Sequence, residues 1–302
     1  ERSRGLGDVY KRQAENLSDK LTELFEVVCD PELDGAIKKK GKYAGTEYAN
    51  FRRIDGMYKE RIELPPLSEE FRQQVLKAAE FDWGRVNPDI FGAMFQQLVD
   101  LDELRLKGEH DTSEENILRV IEPLFLDELR ERFENAYNDR DALLALQDEI
   151  ADLQFLDPAC GCGNFLIQAY KHLRGLEYEI ITRAEELELA ELNAAFDLHA
   201  KGERVDGIRA IRARLKELGN RNSLQFADDS LRKSKMSMRQ FHGIEINEWP
   251  AKVASTAMLL VDHLCNQSFG QSAVRLPIEE TPEIKTANAL RIDWADVIAP
   301  DD

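Results

Sequence analysis

Apolar residues along this chain recur mostly every three or four positions, and only briefly do they run together. The first stripe is Leu17, Leu21, Leu24, Phe25 and Val28, which predicts a helix from about Ala14 that Asp30-Pro31 stops. Between Phe51 and Leu64 the string Ile54-Asp55-Gly56-Met57-Tyr58 carries an Asp-Gly turn signal and predicts a small hairpin, closed off by Pro65-Pro66. Ser68 is placed to cap a following helix in which Phe71, Val75, Leu76 and Ala79 share one side. Asn87-Pro88 precedes another helical stripe, Ile90, Phe91, Met94, Phe95 and Leu98. Thr112-Ser113-Glu114-Glu115 reads as a capping box with Thr112 at the cap, and Ile117, Val120, Ile121 and Leu124 as the buried face of the helix it starts.

Further on, Tyr137 to Asp152 is charged and helix-compatible. The short run Leu153-Gln154-Phe155-Leu156 then reads as a buried strand, and Phe165, Leu166, Ala169 and Leu173 return to helical spacing after it. Glu177 to Ala195 is rich in Glu, Leu and Ala, and Arg204 to Leu218 alternates basic and apolar residues. Both are expected to be helix with a solvated face, an extension of the preceding helix plus a helical insertion around 177–238. Gln240-Phe241-His242-Gly243-Ile244-Glu245 reads as a second strand ending in an acid, and Ala254, Ala257, Met258 and Val261 as the helix face that packs on the sheet. Strand, helix, strand, helix is an α/β order.

Between the first strand and its helix lies the stretch Asp157 to Leu166, DPACGCGNFL. Gly161 and Gly163 are open to backbone angles that other residues avoid, and they let a ligand approach the main chain. A helix N-terminus offers free N–H groups and partial positive charge to an anionic group, with Asn164 expected at the N-cap. Taken alone, a Gly-x-Gly turn is equally a structural way to end a strand.

Composition narrows the choices. The 302 residues are enough for one large domain or two smaller ones, and 43% hydrophobic content supports a core. A net charge of −18 and a pI near 4.8 argue against the stretch as a whole gripping a phosphate backbone. The run Lys38-Lys39-Lys40-Gly41-Lys42 is either a solvated loop or a local phosphate contact. The four cysteines, Cys29, Cys160, Cys162 and Cys265, form no C-x-x-C pair, so reduced thiols are expected and no metal site. No apolar run has the length of a membrane span and no signal peptide opens the chain, so a cytoplasmic location without membrane contact is expected.

The string Asp157 to Leu166 resembles the first cofactor motif of adenine-specific DNA methyltransferases, D-P-A-C-G-S-G-N-F-L, with Cys162 where the family usually has Ser or another small residue. FHGIEINEWPAKVASTAMLLVDH resembles the family's second motif, and NPDIFGAMFQQLVD the lead-in to the methyltransferase core of large fused restriction–modification enzymes. The resemblance covers roughly Glu47 to Asp302 and implies a Rossmann-like, doubly wound core, incomplete here, behind a helical N-terminal region. Its implied division is a spacer over 14–107 and a cofactor-binding part over 108–302. Residues 1–13 resemble a translated cloning or sequencing adapter.

The implied cofactor is S-adenosylmethionine. By resemblance the turn from Asp157 through Ala159, Gly161, Gly163, Asn164 and Phe165 cradles its methionine part, and Glu245 accepts from the ribose hydroxyls with Ile246 beside it. Thr112 lies near its carboxylate, although Asp111 stands where the family has Tyr. In TANALRIDW either Asn288 or Asp293 holds the adenine ring, with Asp293 preferred and Trp294 beside it.

The family's catalytic tetrapeptide, Asp/Asn/Ser-Pro-Pro-Tyr/Phe, is absent from these residues, because Pro65-Pro66 sits between Leu64 and Leu67. No catalytic residue is therefore assigned. The expectation is a fragment, inactive alone, of an enzyme that methylates adenine in double-stranded DNA within a restriction–modification or phage-defence system. DNA contacts would lie mostly outside this chain, with a fused or associated nuclease. A methyltransferase for protein, RNA or a small molecule, and a non-enzymatic binding subunit, remain open at this point. A NAD-binding dehydrogenase is disfavoured, since Leu166 occupies the place of the third glycine in G-x-G-x-x-G.

Overall fold

The computed structural model describes residues 17–30, 32–33, 42–49, 51, 53, 64–65, 67–81, 113–219, 234–269 and 281–298. The hairpin expected at Asp55-Gly56, the helix expected over Ile90 to Leu98, residues 1–13 and the 107/108 boundary lie outside them. The chain divides into two compact units, Glu1–Val86 with Arg275–Thr281 and Asn87–Val274 with Pro282–Asp302.

In the first unit, α1 (Leu17–Cys29) buries Leu17, Leu24, Val27 and Val28 with Leu33 and Tyr48. Asp30 follows it, accepting from Lys42 Nζ at 2.7 Å and from Tyr43 Oη at 2.6 Å. Lys42, part of the basic run, is thus engaged with a carboxylate of its own unit. Ser68 caps α2 (Glu69–Glu80) by accepting from the Phe71 amide at 3.1 Å. Val75 and Leu76 pack on the cluster while Phe71, expected on the same side, is 44% exposed. Phe71 sits in the first turn, ahead of the two residues that reach the cluster.

In the second unit the first described helix is α3 (Glu114–Ile121). Ser113, not Thr112, stands at its N-cap and makes no side-chain capping bond. Glu115 pairs with Arg119 one turn on, instead of reaching back to a cap. The buried face also differs from the expectation. Ile117 and Ile121 are buried, but Val120 is 49% and Leu124 70% exposed. A π-helical turn, Glu122–Leu126, follows α3, with the Asp127 amide donating to the Glu122 carbonyl. Pro123 has no N–H to give a regular helix bond there. The wider turn delays the next inward residue to Leu126, after which Leu129, Phe133 and Ala136 of α4 (Asp127–Ala136) resume the stripe. α5 (Arg140–Asp152) is capped by Asp139, which accepts from the amides of Asp141 and Ala142 at 3.1 Å each.

Three parallel strands follow in the order β1 (Phe155–Asp157), β2 (Phe241–Glu245), β3 (Glu283–Thr286). Phe155 stands opposite Phe241 and the two rings stack at 5.0 Å, while Glu245 stands opposite Thr286. Parallel neighbours need crossovers. The first runs through α6 (Asn164–Ala200) and α7 (Ile208–Gly219), the second through α8 (Glu248–Ser268). α8 buries Ala254, Ala257, Met258 and Val261, the face expected to pack on the sheet.

One correction concerns Glu177, expected on a solvated face. It is fully buried and accepts from Arg174 at 2.5 Å, from the Lys235 amide at 2.7 Å and from Gln147 Nε2 at 3.2 Å. Arg174 also donates to Asn266 Oδ1 at 2.9 Å, and Asn266 and Tyr170 both donate to Asp262. This network ties α5, α6, α8 and the segment entering β2. A buried charge without its partner is costly, which is why these groups come as a set.

The π-turn register makes a direct prediction. Leu126→Ala loses about 2–5 kcal/mol in urea unfolding, as a cavity in a packed core does, whereas Leu124→Ala changes stability by less than about 0.5 kcal/mol. Equal losses would mean that the uninterrupted helix stripe is the true one.

Candidate functional site

The glycine turn follows β1. Asp157 Oδ1 accepts from the Ala159 amide at 3.0 Å, which starts the turn, and the Gly163 amide closes it on the Cys160 carbonyl at 2.7 Å. Gly161 and Gly163 have φ of 53° and 88°, the left-handed region that glycine enters freely. Gly163 is the N-cap position of α6, and Asn164, expected there, is the first helical residue. The left-handed Gly163 turns the chain into the helix one residue earlier than a side-chain cap would.

The turn is pinned to the middle strand. The Cys160 amide donates to the Ile244 carbonyl at 3.1 Å, and the Gly161 amide donates to Glu245 Oε2 at 3.1 Å. Glu245 Oε1 accepts from the Asn247 amide at 2.8 Å, and the Glu245 carbonyl from the Ala287 amide at 2.8 Å. One residue therefore joins the ends of all three strands. This close approach needs Gly243: a Cβ there would stand 2.7 Å from Cys160 Sγ and 2.8 Å from Ile284 Cδ1.

The remaining candidates divide. Phe165 is half-buried and Ala159 exposed; Ile246 is 61% exposed immediately after Glu245. Asn288 Oδ1 accepts from the Leu290 amide and Asp293 Oδ1 from the Ala295 amide, both at 3.0 Å, so each shapes its own turn after β3. Trp294 donates to the Ala289 carbonyl at 2.9 Å and leaves its ring half exposed. Among the described residues neither Asp293 nor Trp294 hydrogen-bonds to the glycine turn. Thr112 lies outside the described residues. The glycine turn and Glu245 thus meet at the carboxyl ends of β1 and β2, where open parallel sheets bind ligands, while Asn288, Asp293 and Trp294 lie in the chain that follows β3.

Two features escaped the sequence reading. Trp249, in the first turn of α8 and three residues after Ile246, is 51% exposed, and only its distance from any apolar stripe hinted at it. A cleft of about 270 Å³ beside the turn is lined by Leu124, Phe125, Phe155, Asp157, Pro158 and Phe165, which gives exposed Leu124 a place. A larger cavity of about 460 Å³, among Arg130, Phe133, Lys171, His172, Cys265 and Phe269, shares no residue with the turn.

Electrostatically the site is acidic. Burial, chiefly, and the nearby Glu245 charge push the Asp157 carboxyl above its ordinary range, against the Ala159 amide bond that lowers it. Burial likewise pushes the Cys160 thiol far up, so it is an un-ionised packing group. Among the described residues no group of three or more His, Cys, Asp or Glu is placed to hold a metal ion. No helix there is long and apolar enough to cross a membrane.

A family model, the MmeI DNA-methyltransferase domain, matches residues 133–302, which take in the glycine turn, Glu245 and the ends of all three strands. The chain belongs to the MmeI DNA-methyltransferase family. It is similar to DNA methyltransferase A of Bacillus subtilis (strain 168), 34% identical over 236 residues, covering 76% of this chain and 22% of that protein. It is also similar to the Type IIL restriction–modification enzyme MmeI, solved in complex with DNA, with a TM-score of 0.72 and 34% identity over 97% of this chain and 35% of that one. The chain thus spans about a fifth to a third of the length of these relatives.

The two glycines predict different costs. Gly163→Ala forces φ of 88° on an L-residue and brings its Cβ to 3.0 Å from that of Ala254. Gly161→Ala meets nothing within 4 Å. The Gly161 change costs about 1–2 kcal/mol for the left-handed backbone, and the Gly163 change costs more; urea unfolding of both variants checks the order.

Asp157 predicts a pH dependence. A carboxyl raised by folding binds its proton more tightly in the folded state, so its contribution favours folding near its ordinary value of 3.8 and declines as pH rises through the raised one. Asp157→Asn removes that decline, so its melting temperature gains on the parent's as pH rises above the carboxyl's ordinary value of 3.8. Parallel pH profiles for the two proteins would refute this.

Proposed function

We propose that this stretch binds S-adenosylmethionine as part of a Rossmann-like methyltransferase core, whose product is adenine methylated at its exocyclic amine in double-stranded DNA. The observation that carries the reading is the Glu245 carboxylate, held at the end of the middle parallel strand against the Gly161 amide. A carboxylate has about four acceptor positions, and two are filled by amides. The others remain for a pair of ribose hydroxyls, whose recognition by an acid at the end of a second strand is a general device of nucleotide-binding βαβ units.

The turn fits the rest of such a ligand. The Cβ direction of Gly161 is open, so a ligand can lie directly on the main chain there. Exposed Ile246 offers an apolar face for the adenine ring, and Asp293 with Trp294, in the chain after β3, is assigned to the same ring by resemblance. Asp157 and Ala159 set the turn, Gly163 and Asn164 start the helix, and Phe165 walls the neighbouring cleft. Thr112 is assigned to the carboxylate end by resemblance alone. When bound, the cofactor supplies an electrophilic methyl group on a sulfonium centre. The residues here hold and orient it; the Pro-Pro-aromatic group that the family uses on the flipped base is not among these 302 residues. The DNA substrate, the restriction–modification setting, an associated nuclease and a cytoplasmic location belong to the same proposal.

Titration calorimetry with S-adenosylmethionine tests it. Saturable binding is expected, and Glu245→Ala weakens it about 10- to 100-fold, as loss of hydrogen bonds to a charged acceptor does. A chain that is folded by circular dichroism yet takes up no cofactor would refute the reading.

A further inference from the structure

The long helix α6 changes character part-way. Its 37 residues span about 55 Å at 1.5 Å per residue. Its buried residues end at Ala184. Beyond that point it carries Glu185, Glu186, Glu188, Glu191 and Asp197, and its partner is α7. The two run antiparallel: Arg214 bonds both oxygens of Glu188 at 2.7 and 3.0 Å, and the Arg212 guanidinium lies 5.6 Å over the Phe196 ring. This hairpin stands outside the core that buries the sheet.

Its outer face is basic. Arg209, Arg212 and Lys216 are exposed at spacings of three and four, one side of a helix. Lys201 and Arg204 are exposed in the link before them. From Lys201 to Lys216 there are six cations against the two acids Glu203 and Asp206, in a chain whose net charge is −18. Among the described residues no carboxylate pairs with Lys201, Arg209, Arg212 or Lys216, and Arg204 meets only Asp206, at 3.8 Å with both side chains almost fully exposed. The hairpin's one bidentate pair consumes Arg214 and leaves the others facing solvent.

We propose that this face of α7, with the link before it, is a contact surface for the phosphate backbone of double-stranded DNA. The inference rests on the DNA reading of the proposed function and adds a place to it. Duplex DNA presents about one negative charge per 1.7 Å of axis. A row from Arg209 to Lys216 is about 10 Å long and meets several of those charges at once. Arginine's planar fork suits phosphate oxygens, and such contacts position a protein on the duplex without reading its sequence. Like charges gathered on one face, with no carboxylate partner, destabilise a free protein slightly; a polyanion removes that repulsion.

The test is binding of the 302-residue chain to a short mixed-sequence duplex, followed by fluorescence anisotropy over a salt series. The triple variant R209Q/R212Q/K216Q loses about 0.9 per phosphate contact from the slope of log affinity against log salt, roughly 2–3 in all. Between about 50 and 200 mM salt the parent's affinity then falls roughly 40-fold further than the variant's. The charge-conserving R209K/R212K variant keeps most of the slope, and all three proteins unfold cooperatively above the assay temperature. If the parent binds DNA and the Gln variant has the same slope, the surface is idle and the DNA reading stands. If the parent takes up S-adenosylmethionine but no duplex, the surface is refuted and the cofactor reading stands. If the Gln substitutions abolish a salt-sensitive self-association while leaving the DNA slope unchanged, the face serves a second copy of this acidic chain, and the proposal fails.

Discussion

Gly243 has no side chain, and the space its Cβ would need is taken by Cys160 from the glycine turn and Ile284 from β3. That single close approach lets the turn fold back over the middle strand. Only then can the Cys160 amide reach the Ile244 carbonyl and the Gly161 amide reach Glu245. The acid at the strand end is consequently fixed by the main chain on one side and by the Asn247 amide at the start of α8 on the other. Its position is set by backbone geometry, which is stiffer than any arrangement of side chains. Replacing a small group by a larger one at such a contact forces backbone shifts that cost about 1–3 kcal/mol.

Below the site, order is maintained by a polar network in an otherwise apolar core. Arg174 and Glu177 sit about three turns into α6 and are almost wholly buried. They bind Asn266 of α8, Gln147 of α5 and the amides of Lys235 and Met236 just before β2. The Met236 amide would otherwise be a buried donor where the chain enters the sheet. The network therefore satisfies the entry to β2, while the stacked Phe155 and Phe241 rings, with Tyr170 edge-on, supply the apolar packing. The same helix that carries this network leaves the core after Ala184 and becomes one arm of the α6–α7 hairpin.

The charge distribution follows the same division. Asp157 and Glu245 lie close enough at the mouth of the site for one to raise the other's proton affinity. The outer face of α7 concentrates cations that the rest of this acidic chain dilutes. The acidic end of the sheet and the basic outer face of α7 differ in the charge of the ligands proposed for them, a sulfonium-bearing cofactor and a polyanion. Membership of the MmeI DNA-methyltransferase family is consistent with both.

Local sequence was enough for the elements that depend on neighbours in the chain. The α1 stripe, the Ser68 cap, the α8 face and the two left-handed glycines were all legible, because helical period and backbone freedom are properties of a few consecutive residues. Glu245 was legible only through its surrounding motif, since the insertion carries it far beyond the usual distance from the turn. The tertiary structure alone decided three things. It made Leu126 rather than Leu124 the inward residue, because a π turn at Pro123 shifts the period. It buried Glu177, because its partners include groups from two other segments, α5 and the approach to β2. It left Arg209 and Lys216 of α7 without an acid of α6, because Arg214 is the residue that meets Glu188. Each of these depends on residues distant in sequence meeting in space, and no pattern of consecutive positions records that.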